Sequence, residues 1–162
     1  MKVWFDTEFI EDGKTIDLMS IGMIREDGAE LYLESSECDL MRGDAWVTEH
    51  VISKLQFDPR ARRTRSEIAS AVREFAGDKP EFWAYYADYD WVSICQLYGK
   101  MIDLPKGWPF FCRDLKQLQM DRYPTLRFAQ QDPATKHHAL NDARWVREQH
   151  LLLLQMPERG AP

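Results

Sequence analysis

An α/β fold on one mixed sheet is predicted by three observations. Apolar strand-like runs joined by tight-turn residues recur before Ser35, helical periodicity with caps at both ends follows, and short aromatic or apolar runs separate the later helices. The order is strand, strand, strand, helix, strand, helix, strand, helix. It places three antiparallel strands ahead of alternating helices and strands, with helices flanking the sheet in a single α/β layer structure.

Val3 and Phe5 alternate with polar or bulky neighbours, so the first strand runs straight into Asp6-Thr7-Glu8, and Asp12-Gly13 turns the chain. Leu18 to Ile24 and Glu30 to Leu33 flank Glu26-Asp27-Gly28, whose Asp-Gly step accepts the positive φ of a hairpin. Trp46-Val47 and Val51-Ile52 predict a short helix that Pro59 ends. Thr64 to Glu67 is a Thr-x-x-Glu capping box, followed by Ile68, Ala71, Val72 and Phe75 at helical spacing and by Gly77 as the stop. After Pro80, Phe82 to Tyr86 reads as an aromatic strand. Asp90 then opens a helix whose Trp91, Ile94, Cys95 and Tyr98 share one face before Gly99 closes it. Phe110 to Cys112 reads as a buried strand ahead of an amphipathic segment with Leu115, Leu118 and Gln119. Ala139 to Met156 makes the last helix, stopped by Pro157.

The chain has 162 residues, 44% hydrophobic and 30% charged, which fits one domain with a full core. That domain is expected to span residues 1–157, with a frayed tail at 158–162. The longest apolar run, Leu151 to Leu154, is too short for a bilayer, and the N-terminus lacks an export pattern, so a cytoplasmic location is expected. Cys38, Cys95 and Cys112 are odd in number and lack a CxxC pair, which argues for buried thiols and against a disulfide framework or a zinc site. A net charge of -6 argues against a broad basic surface that wraps a long nucleic acid. Short contact with a strand end remains compatible with it.

The chemistry rests on scattered acids. On an extended strand, residues two apart emerge on one face about 6.5 to 7 Å apart, so Asp6 and Glu8 can share a pair of ions, with Thr7 facing away. Alone, such a dyad is a weak signal that equally describes two solvated surface acids. Its place at the end of an apolar strand favours a ligand site. Asp90 can serve as a helix N-cap, as a ligand or as both, and Asp88 is its rival. His137 and Asp142 are five apart, so they face one cleft if His137 lies on the loop before the helix and Asp142 inside it. His138 competes with His137 as the active imidazole. Either would suit a general base near neutral pH. Carboxylates that converge without cationic partners need a counter-charge, which two divalent ions supply in phosphodiester hydrolysis. Phe9, Trp46 and His50 are candidates to hold a terminal base by stacking, against ordinary packing as the alternative. The basic run from Arg60 to Arg65 reads as a solvated loop more readily than as a phosphate guide.

In this order, dyad on the first strand, aspartate at a middle helix and His-x-x-x-x-Asp at the last helix, the chain resembles the DEDDh exonucleases, which have an RNase H-like fold. Phe5-Asp6-Thr7-Glu8-Phe9-Ile10-Glu11-Asp12-Gly13, Trp46-Val47 through His50-Val51 and Lys54-Leu55, Tyr89-Asp90 with Cys95-Gln96-Leu97, and His138-Ala139-Leu140 before Asp142-Ala143 look like the small mycobacterial-type 3′-to-5′ exoribonuclease family. The resemblance implies trimming of single-stranded RNA 3′ ends, an association with adenylate, Mg2+ or Mn2+ as the two-ion cofactor, and a homodimer. It also implies Asp6, Glu8, Asp90 and Asp142 as metal ligands and His137 as the base. The stretches from Arg60 to Arg65 and from Arg122 to Lys136 depart from the family pattern. A 3′-to-5′ DNA exonuclease and a non-catalytic RNA-binding module on the same fold are the alternative readings, because no motif encodes a contact to the 2′-hydroxyl.

Overall fold

Three consecutive antiparallel strands, β1 (Lys2–Glu11), β2 (Ile16–Arg25) and β3 (Glu30–Ser35), begin the chain in a computed structural model that describes residues 1–157. The tail expected to fray, 158–162, lies outside the described residues. Gly28 sits at φ +87 between β2 and β3, where its missing Cβ removes the steric penalty of that turn. The remaining elements are α1 (Ala45–His50), β4 (Arg62–Arg63), α2 (Arg65–Ala76), β5 (Glu81–Ala84), α3 (Asp88–Tyr98), β6 (Arg113–Asp114), α4 (Leu115–Arg122) and α5 (Ala139–Gln155). The six strands form one sheet in the order β4-β3-β2-β1-β5-β6. β1 is antiparallel to β2 and parallel to β5, which makes the sheet mixed as expected.

Side-chain alternation along β1 divides the core. Val3 and Phe5 enter the layer under α2 and α3 with Ile68, Val72, Phe82, Trp91 and Ile94. Trp4 enters the opposite layer with Trp83, Leu115, Ala143 and Val146, under α4 and α5. Each large buried side chain stabilises its layer by about 1.5 to 3 kcal/mol, so a one-residue slip of β1 would misplace several at once. That register also fixes the acids. Asp6 and Glu8 continue the face of Trp4 toward α5, and Thr7 continues the face of Phe5 toward α3.

The capping box at Thr64 forms as expected, with Glu67 Oε2 accepting from the Thr64 amide at 2.8 Å and Gly77 following the last turn of α2. Three expectations are corrected. Phe110 to Cys112 is not a buried strand: Phe110 and Phe111 are exposed, and the strand is the adjacent pair Arg113–Asp114 against Trp83–Ala84. Aromatic side chains favour strands only where a layer covers them, and Phe110 and Phe111 are left uncovered. The strand at Phe82 ends at Ala84, so Tyr85 and Tyr86 lie past it. Finally, Asp90 does not open its helix; α3 begins two residues earlier at Asp88. The short strands β4 and β6 carry no alternation that two residues could display. No helix among the described residues is long and apolar enough to cross a membrane.

Candidate active site

The five residues singled out for chemistry, Asp6, Glu8, Asp90, His137 and Asp142, line one cleft of about 1480 Å³. Two come from β1, one from α3, and two from the start of α5. What allows the last pair to approach is Gly22, the cross-strand partner of Asp6. A Cβ there would sit 2.2 Å from the amide nitrogen of Leu140, so only glycine lets the first turn of α5 lie directly on the sheet. Asp142 is thereby lowered onto the acids of β1.

His137 precedes α5 in a left-handed conformation, φ 65, and its amide donates to Asp142 Oδ2 at 2.9 Å. This loop-then-helix placement brings the two side chains to one side despite their spacing. A ligand atom each from Glu8, His137 and Asp142 lie within 4.8 Å of one another. His138 turns elsewhere. Its ring stacks on Tyr32 at 4.4 Å and its Nε2 lies 3.0 Å from Gln56 Nε2, outside the cleft lining.

Asp90 reaches the cluster from the opposite face of the sheet through Thr7, whose hydroxyl and amide donate to Asp90 Oδ1 at 2.6 and 2.8 Å. Thr7 does point away from Asp6 and Glu8, as alternation requires. That direction is where Asp90 stands, so Thr7 orients the third carboxylate, a role that sequence reading missed because a strand residue facing away looks like core. Asp88 remains exposed.

The acids are electrostatically overloaded. Burial first, then the charges of Asp90, Glu8 and Asp142, raise the Asp6 carboxyl well above its ordinary range. Burial, then Asp142 and Asp90, pushes Glu8 up to about 8, with Lys136 pulling the other way. Burial pushes Asp90 to about 6 against the hydrogen bonds from Thr7, and Asp142 to about 6 against the His137 amide and Lys136. Among the described residues none of the four carboxylates forms an ion pair with Lys or Arg. Hard oxygen donors with a single imidazole, short of positive charge, fit Mg2+ or Mn2+ rather than a thiophilic metal.

A pH dependence of stability follows. Glu8 holds in the folded state a proton that the unfolded chain releases near 4.5, so metal-free stability falls as pH rises through about 8. His150, pushed down to about 4 mainly by burial, acts in the opposite sense below its ordinary 6.5. The informative window is therefore pH 6.5 to 8. EDTA-treated protein should lose at least about 1 to 2 kcal/mol across it, read by thermal melting, and Glu8→Gln should lessen the decline while leaving the share of Asp6, whose carboxyl is raised as well. A flat profile in the unaltered protein would contradict the crowding of these acids.

The expected substrate residues separate by position. Phe9 is half-buried, lines the cleft, and stacks on Tyr89 with ring centroids 5.9 Å apart. Trp46 is 52% exposed, lines the cleft, and meets the His137 ring edge-on at 5.2 Å. His50 stacks on Trp46 at 4.7 Å with Nδ1 3.0 Å from the Trp46 carbonyl, and it does not itself line the cleft. It backs the indole.

The chain also matches known proteins along most of its length. A family model described as the 3′-5′ exoribonuclease Rv2179c-like domain matches residues 1–152. Two curated proteins of Mycobacterium tuberculosis are each 44% identical to this chain, over 89% of it and 88% of their own length. They are named 3′-5′ exoribonuclease Rv2179c, from strain ATCC 25618 / H37Rv, and 3′-5′ exoribonuclease MT2234.1, from strain CDC 1551 / Oshkosh.

Proposed function

Because the chain belongs to the Rv2179c-like 3′-5′ exoribonuclease family, we propose that it shortens single-stranded RNA from the 3′ end and releases nucleoside 5′-monophosphates, with His137 as general base and Asp6, Glu8, Asp90 and Asp142 as ligands of two divalent cations, Mg2+ or Mn2+. The observation that carries this reading is the meeting in a single cleft of one imidazole and four carboxylates that, among the described residues, form no ion pair with Lys or Arg. Bound there, the two cations would offset the negative charge of the acids and of the phosphate, and would lower the pKa of the attacking water.

The chain's own residues divide the remaining work. His137, held at the rim by its amide contact to Asp142, is set to take a proton from the water as its oxygen bonds to phosphorus. The bond from phosphorus to the O3′ of the preceding nucleotide breaks, leaving a shortened RNA with a new 3′-hydroxyl. Burial, then the nearby positive charges of Lys136, His50 and Lys54, lowers the His137 pKa below 6.5, which keeps the ring neutral and able to accept at pH 7. Thr7 fixes the rotamer of Asp90. Phe9 and Trp46 offer ring faces and edges to the terminal nucleotide from the mouth of the cleft.

A homodimer and a cytoplasmic location belong to the same reading. The exposed rings of Phe110 and Phe111 are apolar surface suited to the first, and the three free thiols are in keeping with the second. Digestion of 5′-labelled RNA tests the function. With Mg2+ or Mn2+ a ladder should shorten one nucleotide at a time from the 3′ end, EDTA should abolish it, and a DNA oligomer in the same tube should be cut more slowly. Internal cuts, or no shortening with either metal, would overturn the assignment.

A further inference from the structure

Besides the acids, the same cleft is lined by Tyr86, Lys116, Arg127, Phe128 and Trp145. Tyr86 follows the end of β5 with φ 57, a left-handed conformation that a bulky side chain adopts at a cost. The residue is 61% exposed. Behind it, Tyr85 meets the Tyr86 ring edge-on at 4.5 Å and is itself wedged against Trp145 at 5.0 Å and Phe128 at 5.9 Å. The Trp145 indole N–H donates to the Ala129 carbonyl at 2.9 Å, which ties this aromatic group to the loop before α5. Tyr86 is thus braced on one side and bare on the other.

The volume is informative as well. About 1480 Å³ exceeds the roughly 300 to 1000 Å³ that encloses one small ligand. The lining of the cleft joins the carboxylates to further cations, Lys116 and Arg127, and to a group of aromatic rings. A strand whose reacting phosphate sits at the acids would have room in the same cleft for its next phosphates and bases, with cations and rings in the lining to meet them. The Lys116 ammonium uses one donor on Gln119 Oε1 at 2.7 Å and keeps two more for such a contact.

We propose that this part of the lining is an upstream subsite for single-stranded nucleic acid, in which Tyr86 stacks the base of a nucleotide that is not cleaved and Lys116 and Arg127 face its phosphates. The proposal rests on the exoribonuclease reading above and deepens it. It assigns to Tyr86 the retention of the shortened strand between cuts, separate from the terminal nucleotide held near Phe9 and Trp46. Stacking on an aromatic face is sequence-tolerant, so the subsite grips any base.

The test compares an RNA 10-mer with the p-nitrophenyl ester of thymidine 5′-monophosphate, which fills the terminal site alone. Tyr86→Ala should raise KM for the 10-mer about tenfold, as loss of one stacked base implies, and should leave kcat/KM for the ester within about twofold. Tyr86→Phe should restore the 10-mer KM, because it keeps the ring. Fluorescence anisotropy of a labelled 10-mer in Ca2+ should show the same loss and the same rescue. An unchanged 10-mer KM in Tyr86→Ala, or an equal loss on both substrates, would overturn the subsite while leaving the exoribonuclease reading in place. A wild-type chain that cleaves neither substrate would overturn that reading and the subsite with it.

Discussion

Asp6→Asn and Asp142→Asn are each expected to slow RNA hydrolysis at least about a thousandfold, equivalent to about 4 kcal/mol returned to the barrier. Asparagine keeps the size of the side chain and removes its charge, so the loss reports on electrostatics. The fold should survive. Burial and the three neighbouring acids raise the Asp6 carboxyl well above its ordinary range, which means that the cluster opposes folding when metal is absent. Removing one charge should therefore leave the melting temperature in EDTA unchanged or raise it. Gel assays of labelled RNA paired with melting curves separate lost chemistry from lost structure. Full activity in either variant would reject the ligand assignment, and a lower melting temperature in EDTA would contradict the repulsion.

His137→Ala should reduce kcat by about a hundredfold to ten-thousandfold, the usual contribution of a positioned base, with little change in KM. The pH profile carries more information than the loss itself. Because burial and then Lys136, His50 and Lys54 disfavour the protonated ring, the pKa lies below 6.5, and activity should decline only as pH falls through that lower value. His137→Ala should flatten this acid limb. His138→Ala makes the contrasting variant, since its ring is packed against Tyr32 and Gln56: it should lower stability and retain the limb. A His137→Ala protein with wild-type kcat, or an unmoved acid limb, would remove the imidazole from the mechanism.

Much of this site was legible because its parts depend on local rules. Strand alternation placed Asp6 and Glu8 on one face, and the break between a loop and a helix placed His137 beside Asp142. The capping box at Thr64 and the Asp27-Gly28 hairpin are likewise local chemistry. What escaped depends on contacts far apart in sequence. Nothing in the apolar run of β2 marks Gly22 as the seat of α5, since the close approach involves the backbone of Ala139 and Leu140. Thr7 faces away from the dyad as alternation dictates, yet the approach of α3 to that face turns it into the anchor of Asp90. Phe110 and Phe111 look like a strand because their propensity is high, and they lie outside one because no layer covers them. The choice between His137 and His138 was equally beyond composition, as it turns on the left-handed φ of His137 and on the stacking partner of His138.

The cluster's excess negative charge is the physical centre of the account, and metal uptake reads it without reference to turnover. Calorimetric titration of Mn2+ into EDTA-stripped protein at neutral pH should show saturable binding of two ions per chain, and Asp6→Asn should lose at least one of them. Absence of saturable binding, or a binding curve for Asp6→Asn that superimposes on that of the unaltered chain, would contradict it.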